Sequence, residues 1–346
     1  MQGRLLNFTK KLKRKVSDNF NIRCRCGTFF KCKANGKEVK ILKVGGQAVI
    51  DGVLMMGKKV VVAVRTQSGE IQVRELGTPS VSQKWMRIPF IRGFISLYYS
   101  LYFGIKALNL SAEISSDEKM KKGESFFSIL VAVGLAVGLF IVLPAYLTKW
   151  LGFKDNEFLF SLVDGLIRLG FFLSYVFFIS LFEDVKNVFR YHGAEHKAVH
   201  TYEHNEELTV ENARKYSTIH PRCGTNFVMI FLIIAILVHS LYGLLGVTML
   251  GRIVFRIIAI PVVAGISYEL LRLFDRYPKI RFLALPGMIL QKLTTAEPND
   301  SQLEVALVSL RHAIGAVDTV VFDKNELKEK NQQADSDIDE QPEFLG

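Results

Sequence analysis

Two stretches without a charged side chain, Phe126–Leu147 and Phe227–Leu250, constrain this chain more than any other feature. Each exceeds the ~20 apolar residues that a helix needs to cross a bilayer core. A soluble enzyme, a disordered protein and a disulfide-knotted secreted module are excluded on that ground. Two weaker runs join them. Phe158–Phe182 carries Asp164 and Arg168, four residues apart and so on one helix face. Ile253–Leu271 carries Arg256 near its start and Glu269 near its end. Charges at bilayer depth are costly and pair or face the bundle interior, so Asp164 and Arg168 read as a structural ion pair. The fold class expected is a multi-pass α-helical membrane protein with about four transmembrane helices and a small N-terminal β-rich cytoplasmic module.

The net charge of +11 has one source. Residues 1–43 hold thirteen Lys or Arg against Asp18 and Glu38, which alone matches the whole excess. No aromatic-rich nucleic-acid signature follows, so this arm reads as a cytoplasmic segment on anionic lipid headgroups, with no nucleic-acid partner. The first long apolar run begins only at Phe126, which argues against a secretory signal. Cys24, Cys26 and Cys32 lie in the arm at a spacing that fits no common zinc finger, and reduced thiols are expected.

Residues 44–80 read as a small β module, with Lys59–Arg65 and Glu70–Leu76 joined at Gln67-Ser68-Gly69 as a hairpin. Residues 86–110, broken by Pro89, Arg92, Gly93 and Lys106, read as an interfacial or re-entrant helix with Tyr98, Tyr99 and Tyr102 at the headgroups. The four-helix membrane region spans 126–290 and encloses a His-rich loop, 183–225. Residues 293–316 read as a cytoplasmic amphipathic helix with Asp300 or Ser301 as cap. The tail 322–346 is expected to be disordered. The 183–225 loop carries Lys186, Arg190, Lys197, Arg214, Lys215 and Arg222, whereas the alternate loops carry few cations. By the positive-inside rule, this loop and both termini face the cytoplasm, with the plasma membrane as location.

The loop contains His192-Gly193-Ala194-Glu195-His196, an H-x-x-E-H pattern, the inverted form of the zincin motif. On a helix the two histidines share a face one turn apart, and Glu195 adjoins it as a base for metal-bound water. His200 and His204 continue the row, but His192 to His204 covers about 18 Å of helix, too far for one ion. These two read as a solvated face. His220-Pro221-Arg222-Cys223 precedes the third apolar run and offers an imidazole and a thiolate ligand, Cys223 sitting at a helix N-terminus. Glu269, expected at the cytoplasmic end of the fourth run, is the third candidate ligand. One difficulty attends it: a straight helix from Phe182 would carry His192 about 15 Å beyond the apolar boundary. A break near Asn187 or Gly193 would be needed to fold the motif back.

Val44–Gly57, Arg190–Lys197, His220–Thr225, Gly265–Glu269 and Leu293–Val305 resemble, in order, the blocks of the bacterial YqhQ family. The resemblance covers Val44 to about Ile314 and implies a multi-pass membrane protein and a metal-dependent enzyme. It supplies no substrate. His200 and His204 fall outside its pattern, and Asp51 stands where the family commonly has Glu.

The functional expectation is therefore a membrane-embedded metal-dependent hydrolase facing the cytoplasm. Its metal, Zn2+ or another divalent ion, would be bound by His192 and His196 with Glu269, His220 or Cys223, and Glu195 would be catalytic. A non-catalytic metal-binding scaffold or assembly factor is the alternative, ahead of an ion or solute permease through Asp164, Arg168 and Glu269. The lipid bilayer is the expected partner, and association into a homo-oligomer stays open.

Overall fold

A computed structural model describes residues 23–25, 31–34, 37–40, 43–78, 85–116, 122–153, 156–243 and 249–316. Most of the basic arm, Cys26 and the acidic tail lie outside the described residues. Among the described residues the first elements form a three-stranded antiparallel meander, β1 (Arg23–Arg25), β2 (Lys31–Ala34) and β3 (Lys37–Lys40), with Cys24 opposite Cys32 in register.

A four-stranded antiparallel sheet follows in sequential order: β4 (Gly45–Val49), β5 (Gly52–Met56), β6 (Val60–Arg65) and β7 (Ile71–Gly77). Its central strands are unbroken apolar runs, Gly52-Val-Leu-Met-Met56 and Val60-Val-Val-Ala-Val64. Side chains alternate between the two faces of a strand, so such runs require cover on both. Val53, Met55, Val61 and Ala63 face one core with Tyr191, Ala194, Leu303, Leu307 and Leu310. Leu54, Val60, Val62 and Val64 face the other with Phe103 and Ala107. The expected β module is thus the middle layer of a three-layer unit.

Helix α1 (Ile91–Ser116) covers the second face. It runs past the expected end at Leu110, and Tyr99 turns in against the sheet core while Tyr98 and Tyr102 remain exposed. Helices α2 (Lys122–Val137) and α3 (Leu143–Trp150), continuous through a π-helical turn at Gly138–Val142, lead to α4 (Glu157–Ile179), capped by the Asn156 side chain. Next come α5 (Glu183–Glu203), the short α6 (Val210–Arg214), α7 (Gly224–Gly243) and α8 (Met249–Arg276). A 3-10 turn, Pro278–Ala284, leads into α9 (Leu285–Thr294) and α10 (Asp300–Ile314). Asn299 caps α10 through a capping box with Gln302, one residue before the expected cap, and Gly315 closes it in the left-handed region.

Among the described residues, three helical stretches are long and apolar enough to cross a membrane: Val133–Trp150, Phe158–Ile179 and Gly224–Leu241. The expected fourth crossing falls in α8, which is not one of the three. Asp164 and Arg168 do pair, at 2.8 Å along α4.

Candidate metal centre

The break that brings the His-rich helix back toward the sheet lies between α4 and α5. The helix stops at Ile179, and Phe182 is extended (φ −78°, ψ 136°). Glu183 and Asp184 then open α5, where negative side chains favour a helix N-terminus. No break is needed at Asn187 or Gly193, because α5 is continuous through both. Tyr191, Ala194, Ala198 and Val199 bury one face of α5 in the sheet core. The neighbouring face presents His192, His196 and His200 to the segment before α7 and to the C-terminal end of α9.

Each of the first two histidines gives one ring nitrogen to a backbone carbonyl. His192 Nδ1 bonds Thr294 O at 2.8 Å, and His196 Nδ1 bonds Thr218 O. A carbonyl partner of this kind fixes the tautomer and leaves the second nitrogen as a lone-pair donor. The segment bearing Thr294 lies close because residue 193 is glycine. A β carbon there would stand 2.1 Å from Ala296 O. Ala296 N also donates to Phe189 O at 2.9 Å.

The second nitrogen of His192 faces Cys223. His192 Nε2 lies 3.2 Å from Cys223 Sγ, and the two imidazole centroids are 4.5 Å apart. His196 Nε2 is buried without a hydrogen-bond partner. One ligand atom from each of His192, His196 and Cys223 falls within 4.8 Å of the others, so the three can hold a metal ion. Cys223 immediately precedes α7, and Thr225 N and Oγ1 stand 3.4 and 3.2 Å from its sulfur.

Glu195 is buried beside this group, its Oε2 3.5 Å from His196 Nε2. Burial pushes its carboxyl up to about 7, against the opposing pull of His192, the Gly46 N–H and Arg222. Burial and neighbouring imidazoles push His200 down to about 4 and His220 to about 3. Both are therefore neutral near pH 7.

The other expected ligands lie elsewhere. Glu269 is bound by Arg92, with Nε to Oε1 at 2.7 Å, and by Phe90 N at 3.3 Å. Its hydrogen-bonding partner is thus Arg92 of α1, and it stands outside both groups of metal-ligand atoms found among the described residues. His220 sits behind Cys223, with Nε2 3.4 Å from Glu203 Oε2. His200 is not a solvated side chain, since its Nε2 bonds Ile219 O at 3.0 Å. His204 is exposed, bonds His200 O of its own helix and sets its ring 4.7 Å from that of Tyr216.

Two residues that the sequence did not single out shape the turn carrying Cys223. Gln291, fully buried on α9, accepts from His220 N at 2.8 Å and donates to His220 O at 2.9 Å. Asn226 donates to Pro221 O at 2.7 Å. A polar residue on an apolar helix face is the only sequence signal either offers.

Residues 88–316 match the family described as "Protein of unknown function (DUF1385)". The chain belongs to this family. It is also 34% identical over 299 residues to "Uncharacterized protein YqhQ" of Bacillus subtilis (strain 168), an alignment covering 78% of this chain and 92% of that relative. No solved structure matches the chain. The stretch matched to DUF1385 contains His192, Glu195, His196, His220, Cys223 and Gln291. Gly46, which touches Glu195 from β4, lies before it.

Proposed function

We propose that this DUF1385 protein is a membrane-embedded metal-dependent hydrolase. His192, His196 and Cys223 hold the ion, and Glu195 is the general base. The observation that carries this reading is the convergence of two backbone-oriented imidazoles and a thiol beside a buried carboxylate. Two nitrogens and a sulfur suit zinc, which accepts such mixed sets in tetrahedral sites. The ion, when bound, supplies Lewis-acid polarisation of a carbonyl or phosphoryl oxygen and acidifies water. Glu195 takes one proton from the attacking water and returns it to the leaving group, so that water adds across the broken bond. Cys223 borders the apolar stretch Gly224–Leu241, which supports a substrate bond at the membrane surface. A peptide bond is the first substrate to test, by analogy with other zincins.

The cation-rich segment 183–225 supports a cytoplasmic site in the plasma membrane, with both termini inside and α8 as the fourth crossing. The basic arm then meets anionic headgroups. Maleimide labelling of single-cysteine variants in intact cells should reach 148–153 and spare 203–214. The reverse pattern would overturn this topology.

One observation favours a non-catalytic metal scaffold: His196 and Glu195 are only 2% and 6% exposed. Glu195→Gln separates the two readings, because the amide keeps size and cannot act as a base. Under the hydrolase reading metal content and folding persist, while complementation of a deletion strain falls by about 100-fold or more. A scaffold complements as well as wild type.

A further inference from the structure

His200, Glu203 and His220 form a second group whose ligand atoms lie within 4.8 Å of one another, one helical turn beyond the first. We propose that this group is a second metal site, built from two imidazoles and a carboxylate and taking a first-row divalent cation. The proposal stands whether or not the first site performs hydrolysis.

The way the histidines are held supports it. Three histidines spaced by four along α5 each give one ring nitrogen to a backbone carbonyl from another segment: His192 to Thr294, His196 to Thr218 and His200 to Ile219. Thr218 and Ile219 are consecutive, so the loop that delivers Cys223 to the first group also orients His200. A solvated histidine face needs no such arrangement, and His204, which lacks it, is exposed. His220 of the second group also adjoins the first, its ring centroid 5.6 Å from that of His196 and 4.5 Å from that of His200.

Glu203 is nine-tenths buried, with Oε2 facing His220 and Oε1 against the Arg222 guanidinium. A carboxylate accepts in four directions, so Arg222 can hold it from behind while one oxygen remains for an ion. One contact must change on loading. His220 Nδ1 accepts the Arg222 N–H at 3.2 Å. Ligation through Nε2 moves the ring proton to Nδ1, and that contact opens. Two nitrogens and an oxygen suit zinc, cobalt or iron in the divalent state, whereas the first group alone offers a thiolate.

The difference in donors makes the sites distinguishable. Full-length protein carrying Cys24→Ser, Cys26→Ser and Cys32→Ser, so that Cys223 is its one thiol, is stripped with chelator in detergent and titrated with Co2+ while bound cobalt and absorbance are followed. Two equivalents per chain are expected, with a sulfur-to-cobalt charge-transfer band that Cys223→Ser abolishes. His200→Asn and Glu203→Gln should each lose one equivalent and keep the band. A wild-type titration that stops at one equivalent and shows the sulfur band overturns the second site without recourse to any variant. So does full wild-type stoichiometry in His200→Asn. Absence of the sulfur band in wild type instead overturns the first site, and the two failures read separately.

Discussion

Gly46 of β4 and Glu195 of α5 are in contact where sheet meets site. A β carbon on Gly46 would stand 2.6 Å from Glu195 Cγ and 2.8 Å from both Glu195 Oε1 and Leu54 O. The sheet edge therefore sets the position of the carboxylate, and the Gly46 N–H donates to it. Gly46→Ala should destabilise the protein by about 1–3 kcal/mol, the usual cost of overpacking, and displace Glu195. Gly45→Ala is the control, because nothing lies within 4 Å of its would-be β carbon. Thermal unfolding in detergent compares the two. Equal effects would mean that the Gly46 contact carries no constraint.

Gln291 holds the Cys223 turn by imitating a backbone partner for His220, donating and accepting at once. Gln291→Leu preserves bulk but leaves the buried His220 N–H unpaired, at about 1–3 kcal/mol, while His220 O keeps the Cys223 N–H at 3.3 Å. Misplacing the turn should also weaken metal binding by about 10–100-fold, the usual effect of losing an outer partner of a ligand. Competition with a chromophoric chelator measures this. Lys292→Ala, at an exposed neighbour, should leave affinity unchanged.

Glu269 is committed to Arg92, so its role is to tie α8 to α1. Gly93 sits in the same contact, where a β carbon would meet Tyr268 Cβ at 2.8 Å. Glu269→Gln should leave metal content at the wild-type level and lower stability by roughly 1–3 kcal/mol, between the costs for exposed and buried pairs. Elemental analysis decides the first half. Loss of metal would return Glu269 to the ligand set.

What the sequence disclosed here depended on range. His192, Glu195 and His196 were legible because one helical turn relates them, and the Asp164–Arg168 pair for the same reason. Cys223 was legible as a candidate ligand, but not that its sulfur rather than Glu269 stands beside His192, because Arg92 lies 177 residues from Glu269. His200 was set aside by considering α5 alone. The loop that folds back over it brings His220, 20 residues on, against its ring. The run Val60–Val64 was legible as a strand of a small β module, but not that helices cover both of its faces, because α1 and α10 reach it from distant sequence. Gln291 works through backbone atoms 71 residues away, a relation that no local pattern records.

Helix α1 presents an apolar stripe on the side away from the sheet. Phe94, Tyr98, Leu101, Ile105 and Leu108 recur at intervals of four and three, and all are exposed, while Phe103 and Ala107 on the other side are buried against the sheet. An apolar stripe on a helix whose opposite face is already packed suits the boundary between headgroups and acyl chains. It would hold the sheet, and with it the α5 histidines, against the bilayer surface. Single-cysteine variants at 101 and 105 carrying an environment-sensitive fluorophore, reconstituted in nanodiscs, should be quenched by brominated or spin-labelled lipid. Aqueous iodide should have little effect at these positions. A label at the exposed Gln67 on the β6–β7 turn should behave in the opposite way. Strong iodide quenching at 101 and 105 would place the stripe in water and remove the membrane from the account of how the site is positioned.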